Sequence, residues 1–282
     1  MAGVGSALAW GIADYAGGIV SRRIPALWTS IGMQLVGTVV FIFALLLLDR
    51  WPRLDPGILP WGIGLAALGA VSLLMLYRGL ALGPIAVVSP VVAGYTAVTI
   101  LILVVFLGER VTPAVAIAIG VTFAGVLLAS TDLRHVAALI GKPLPGVPSG
   151  LVAMVGFGAW GALMALALRS HDQLALILVG RIAGFAIMLL IALALRVGPP
   201  ADRTPGTLAL IVTVGLFDTV ANVLFVAGLA AGEATIVATA SGLYPVLPAL
   251  LAIVFLGERL ALSQYVGVAV LVAGLLAIGA LR

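Results

Sequence analysis

The 282-residue sequence contains no cysteine. That excludes disulfides and thiolate metal sites. Charge is nearly as scarce. Only 9% of residues are charged and 63% are hydrophobic, whereas a soluble domain carries roughly 25% charged residues. No soluble fold could cover that much apolar surface, so the chain belongs in a lipid bilayer. The net charge of +4 rests on 14 basic and 10 acidic side chains. A pI of about 10.0 is therefore no argument for nucleic acid, and no basic cluster is larger than Arg22-Arg23. Histidine is limited to His135 and His171, both in breaks between apolar runs. Metal-ligand clusters, a Gly-rich phosphate loop and a nucleophile elbow are missing, so no enzyme, metal or cofactor is expected. The opening MAGVGSALAWG has no basic n-region and reads as the start of a retained membrane helix.

What is present is a series of apolar runs, each near the ~20 residues needed to cross a bilayer. They fall at 3–20, 28–48, 57–80, 85–106, 113–131, 148–168, 174–195, 206–229, 235–256 and 262–281. The expected fold is an all-α integral membrane protein of ten transmembrane helices. The stretch Thr131–Pro148 is polar and holds three prolines. We divide the chain there, into an N-terminal five-helix repeat at 1–132, a linker at 133–147 and a C-terminal five-helix repeat at 148–282.

The two halves share sequence. Shifted by 149 positions, Gly79-Leu80-Ala81 meets Gly228-Leu229-Ala230, and Tyr95 meets Tyr244. The hexapeptide VFLGER at 105–110 then meets VFLGER at 254–259. With one residue of drift, Ala9-Trp10-Gly11 meets Ala159-Trp160-Gly161. Chance alignment of apolar sequence does not produce a duplicated charged hexapeptide, so we infer a duplication. Five crossings separate the copies. An odd number puts them on opposite faces of the membrane, which makes the repeats inverted in topology around a central cavity. Such halves exchange roles when the protein opens to one side or the other.

In each copy, the glycine is suited to end a helix. Glu109, Arg110, Glu258 and Arg259 then sit at the water boundary. They serve either as a stop signal with a cross-loop ion pair or as a gate that re-forms as each face closes. Pro90 in the fourth span, and Pro245 and Pro248 in the ninth, are expected to kink those helices and make them the moving parts.

Charges inside membrane spans are few and costly, so they are candidate site residues. Asp14 shares a helix face with Trp10, and Asp218 shares one with Asn222. Arg181 lies in the seventh span. Asp14 either lines the cavity or pairs with Arg22 or Arg23 near the surface. Arg181 either binds a substrate carboxylate or is a structural partner for an acid, while Asp14 or Asp218 could hold an ammonium. Among aromatics, Trp10 and Trp160 are matched, as are Tyr95 and Tyr244, and Tyr77 adds a fifth ring. Tyr95 and Tyr244 fall near mid-span, away from interfacial belts. They either line a cavity suited to aromatic side chains or pack helices. Ser89 and Ser241 supply polarity near the prolines.

The segments LAWG, GLALGPIAVVSP and the duplicated VFLGER resemble the drug/metabolite transporter superfamily, in particular its ten-helix EamA-type members. The sequence is most similar to bacterial aromatic amino-acid exporters of the YddG type. That resemblance covers nearly the whole chain. It implies a basket in which helices 1, 3, 4, 6, 8 and 9 line the cavity while 5 and 10 pack behind. It also implies an alternating-access exporter of small metabolites, most of all neutral or aromatic amino acids. A multidrug exporter is the alternative; a channel or a membrane enzyme fits less well. Many members carry a basic residue in helix 2, where this chain reads Trp28–Gln34, so charge recognition is expected to be lopsided. A monomer in the bacterial inner membrane is expected. Its partners are the bilayer and a small-molecule substrate. Loop Lys and Arg number five on the side of the termini and eight on the other. That count points to external termini; the resemblance implies cytoplasmic ones, and we follow the resemblance.

Overall fold

The structure, a computed structural model, describes residues 2–108, 112–129, 144–230, 241 and 244–281. Glu109 and Arg110 lie outside these residues. The described elements are all helices: α1 (Ala2–Ser21), α2 (Ala26–Leu47), α3 (Ile58–Leu82), α4 (Ile85–Ala93), α5 (Tyr95–Leu107), α6 (Pro113–Ala129), α7 (Val147–Ala167), α8 (Gln173–Ala194), α9 (Pro205–Ala230), α10 (Val246–Leu256) and α11 (Leu262–Leu281). Because α4 and α5 together make one apolar stretch, Ile85–Phe106, the eleven helices correspond to the ten expected spans. Among the described residues, seven stretches are long and apolar enough by themselves to cross a membrane. The outer surface is hydrocarbon. Phe106 and Phe255, the repeat-matched phenylalanines of VFLGER, are 79% and 71% exposed, which water would penalise and lipid does not.

The fourth span is broken, though not where its proline stands. Pro90 is accommodated inside α4, and the interruption comes at Gly94. There the chain tightens to an i→i+3 bond, Gly94 N–H to Val91 C=O at 3.2 Å. A Cβ at Gly94 would lie 2.8 Å from Met154 Sδ and 3.0 Å from Val126, so a larger residue there would press on those two side chains. The ninth span restarts at the matched place. Tyr244 and Pro245 form a turn and α10 begins at Val246. Pro245 is the residue before that helix and Pro248 lies in its first turn, where no intrahelical N–H is required. These two prolines start a helix instead of kinking one. Both breaks fall at the matched tyrosines.

The packing obeys an exchange of halves. The pairing of α1 with α9 is repeated by α7 with α3, and that of α2 with α9 by α8 with α3. The pairing of α5 with α7 is repeated by α10 with α1. The pairs α2–α8 and α6–α11 map onto themselves. Every residue of the short α4 is buried, in contact with α10, α7, α3 and α6.

The α6–α11 pair stands behind, joined by close backbone approach. A Cβ at Gly267 would lie 2.6 Å from the carbonyl carbon of Leu128, and one at Gly274 would lie 2.5 Å from Thr122 Oγ1. Small residues are what allow such contact in a membrane. Gly267→Leu is therefore expected to lower the detergent-solubilised unfolding midpoint by an amount matching ~1–3 kcal/mol of overpacking. Gly120, with open space at its Cβ, is the control. Equal midpoints for Gly267→Leu and Gly120→Leu would refute this account.

Candidate functional site

α1 presents a polar and aromatic line at i, i+4 and i+8: Ser6, Trp10 and Asp14. Ser6 is fully buried and its Oγ has no hydrogen-bond partner among the described residues. Asp14 is 7% exposed. Its Oδ2 accepts a 3.0 Å bond from Ser89 Oγ on α4. Arg22 and Arg23 do not reach it, so the surface-pairing reading of Asp14 fails. Arg22 is taken by other partners, described below.

Five rings run from Trp10 across the centre. Trp10 meets Phe225 at 5.4 Å between centroids and Tyr244 at 6.2 Å. Tyr244 meets Tyr95 at 6.5 Å, and Tyr95 meets Phe157 at 6.5 Å. The two matched tyrosines thus touch across the exchange axis, one at each helix break. Phe157 and Phe225 are additions. In the sequence they look like any membrane phenylalanine, and only the tertiary packing selects them. Ser241 is buried next to this turn, its carbonyl accepting from Tyr244 N–H at 3.0 Å.

Trp160 goes elsewhere. It packs against Gly69 on α3 and joins a satellite cluster with Ile58, Leu65 and Leu176. It makes no ring contact with Trp10, Tyr95 or Tyr244 among the described residues. Tyr77 is buried with its ring against Gly17 of α1.

A charged cluster joins both halves. Arg181 on α8 donates through Nη2 to Asp218 Oδ2 on α9 at 2.6 Å. Its Nη1 donates to Gln34 Oε1 on α2 at 3.4 Å, with Met33 Sδ at 3.6 Å. Asn222 Nδ2 donates to Asp218 Oδ1 at 3.3 Å and to Asp218 C=O at 2.8 Å. A Cβ at Gly37 would lie 2.5 Å from Arg181 Nη1, so glycine there gives the guanidinium its room. Arg181 and Asp218 are thus each other's partners. Both readings of Arg181 started from its charge, and here that charge is already paired.

The GER motif also finds a place. Gly108 and Gly257 end their helices in the left-handed region, at φ 67° and 66°, as glycine does best. Glu258 then turns back onto the other half. Its carboxylate accepts from the N–H of Ile85 at 3.1 Å and of Ala86 at 2.9 Å, at the positive end of α4. Arg22 Nη2 donates to the same carboxylate at 2.9 Å and to Gly83 C=O at 2.9 Å, while its Nε donates to Leu80 C=O at 3.3 Å. One contact therefore ties the end of α10 to the ends of α1 and α3 and the start of α4, on the face remote from the termini. Nearby, Arg23 donates to Thr207 at 3.5 Å and Trp28 to Gly198 C=O at 2.7 Å. On the face of the termini, His171 and Asp55 meet at 2.9 Å, and this hydrogen bond holds the Asp55 carboxyl below its ordinary pKa.

Among the described residues no group of three or more His, Cys, Asp or Glu could hold a metal ion. What the arrangement provides is a path of five rings at the helix breaks, an acid one turn from Trp10 on α1, and polar contacts that tie the halves at both faces. A helical membrane protein with mid-span breaks, inverted halves and interior charge has the construction used by secondary transporters. The EamA-like transporter family model matches residues 1–131 and 144–280. The chain belongs to that family and is a multi-pass membrane transporter. A solved structure described as "Crystal structure of protein" superposes on 98% of this chain and 94% of its own, with a TM-score of 0.70 at 19% identity; that likeness speaks to the fold alone. No curated protein sequence matches the chain.

Proposed function

We propose that this transporter exports small metabolites, foremost neutral and aromatic amino acids, by alternating access. In this reading it resembles the YddG type and acts as a monomer in a bacterial inner membrane with both termini cytoplasmic. The observation that carries the proposal is the ring path Phe225–Trp10–Tyr244–Tyr95–Phe157 lying at both helix breaks. Aromatic faces bind flat apolar side chains, and discontinuous helices mark the substrate site in inverted-repeat transporters. Motion at Gly94 and at Tyr244-Pro245 would expose the path to one face and then the other.

The test is uptake of labelled Phe, Trp, Met and Thr into proteoliposomes, with and without a pH gradient. Saturable uptake is expected, reduced about tenfold or more in Trp10→Ala, since one aromatic stack with its buried area contributes about 1–2 kcal/mol. Uptake that Trp10→Ala leaves unchanged would refute the site. A second reading, export of organic cations, is favoured by one observation: Arg181 is already paired with Asp218, so the interior carries no free positive charge among the described residues.

A further inference from the structure

The ties between the halves at the two faces differ in chemistry. On the face remote from the termini, the Glu258 carboxylate receives Arg22 and two backbone amides. A guanidinium keeps its charge at any pH a cell meets, so that tie holds constant strength. On the face of the termini the tie is a histidine. His171, in the turn between α7 and α8, meets Asp55, in the loop before α3, with Nδ1 2.9 Å from Oδ2. Both partners are held in place. Asp55 Oδ1 accepts from Gly57 N–H at 2.9 Å. His171 N–H donates to Ala167 C=O at 3.0 Å. The imidazole rests beside Gly57, where a Cβ would come 2.8 Å from its Cε1, and its centroid is 6.4 Å from that of Trp61. Its side chain is 11% exposed, and that of Asp55 is 41% exposed, so protons reach the pair from water. Asp55 is the charged group that faces the imidazole from the α2–α3 loop, and from α3 the facing ring is Trp61. On its own turn Arg169 and Asp172 flank it, and Asp172 is engaged by Ala175 N–H at 2.9 Å in capping α8.

We infer that His171 and Asp55 form a pH-sensitive latch: protonated His171 holds the face of the termini closed, and its loss of the proton favours opening of that face alone. Histidine is the side chain that ordinarily changes charge between about pH 5 and 8. In its charged form an imidazolium faces a carboxylate across the two halves. In its neutral form a hydrogen bond is left without the charge that strengthens it. The hydrogen bond from His171 holds the Asp55 carboxyl below the usual carboxylate range, so Asp55 stays ionised across that window. Histidine alone then sets the sign: closure is firmer at acid pH and weakens as pH rises. This inference rests on the alternating-access reading above, while its test separates the two.

The cysteine-free sequence lets spin labels be placed in pairs on the full chain in lipid nanodiscs. Leu54→Cys with Ser170→Cys reports the face of the termini, and Leu82→Cys with Leu262→Cys the remote face; all four positions are exposed. His135→Gln in every sample leaves His171 as the one histidine. Labels are attached first, and dipolar spin resonance then gives the distance distributions at about pH 5.5 and about pH 8.5. Between the two, the longer-distance population on the face of the termini is expected to grow about threefold to tenfold, as suits one partly buried ionic hydrogen bond. The remote pair is expected to stay unchanged. His171→Gln, which keeps a hydrogen-bonding side chain, is expected to show the high-pH distribution at both pH values, and Asp55→Asn the same. No response on the face of the termini, an equal response at the remote pair, or a response that His171→Gln retains would each overturn the latch and leave alternating access standing. A single distance on both faces under every condition, with Glu258→Ala included, would overturn both.

Discussion

Glu258→Ala is expected to open the face remote from the termini. On that face one carboxylate receives two α4 amides and Arg22, beside the Arg23–Thr207 and Trp28–Gly198 bonds. Truncation orphans both amides and leaves the guanidinium with carbonyls only. Hydrogen bonds to a charged group contribute ~1.5–3 kcal/mol each. Allowing for water entering the gap, the closed state should lose about 3 kcal/mol, or roughly 100-fold in the closed-to-open equilibrium. The cysteine-free sequence makes this measurable without background. Ser89→Cys places a single thiol on α4, buried beneath the contact. Its labelling by a membrane-impermeant maleimide should accelerate about 100-fold when Glu258→Ala is added. Arg22→Gln should produce a smaller increase, because the α4 amides still hold the carboxylate. Unchanged labelling in both would mean that Glu258 only ends its helix.

The second large effect concerns Arg181 and Asp218. Either one replaced alone leaves a buried charge without its partner, at a cost of about 3–5 kcal/mol. Arg181→Met and Asp218→Asn are each expected to lower the unfolding midpoint in detergent sharply. The double variant is expected to recover most of the loss, since two matched neutral groups need no counterion. Arg181→Lys should not rescue. A point-like ammonium cannot hold Asp218 through one nitrogen and Gln34 through another as the guanidinium does. Additive losses in the double variant would show that the two residues act separately and that the ion pair is not what matters.

Residues that pair within the site were legible as charges and not as pairs. Burial cost alone singles out Asp14, Arg181 and Asp218 along the sequence. Which of them meet depends on how α8 and α9 are rotated, and hydropathy carries no information about rotation. The same limit explains Trp160. Its repeat position matches Trp10, yet it packs with Gly69 in a separate cluster. Matched positions share a helix depth without sharing neighbours. The breaks were anticipated from proline, the more visible residue. The first falls at Gly94, where Met154 and Val126 crowd the space a side chain would take, and such crowding comes from other helices.

The membrane setting and the run of apolar helices could be read from the chain alone, and the repeated VFLGER led us to expect two inverted halves. Each follows from quantities additive along the chain: apolar length, parity of crossings and identity at fixed spacing. The folded arrangement of the helices was needed to see that Glu258 meets the start of α4, that Arg181 is occupied by Asp218, and that Phe157 and Phe225 extend the ring path. These are contacts between helices remote in sequence, set by close approach at glycines and by the rotation of each helix about its axis, which neither composition nor periodicity encodes.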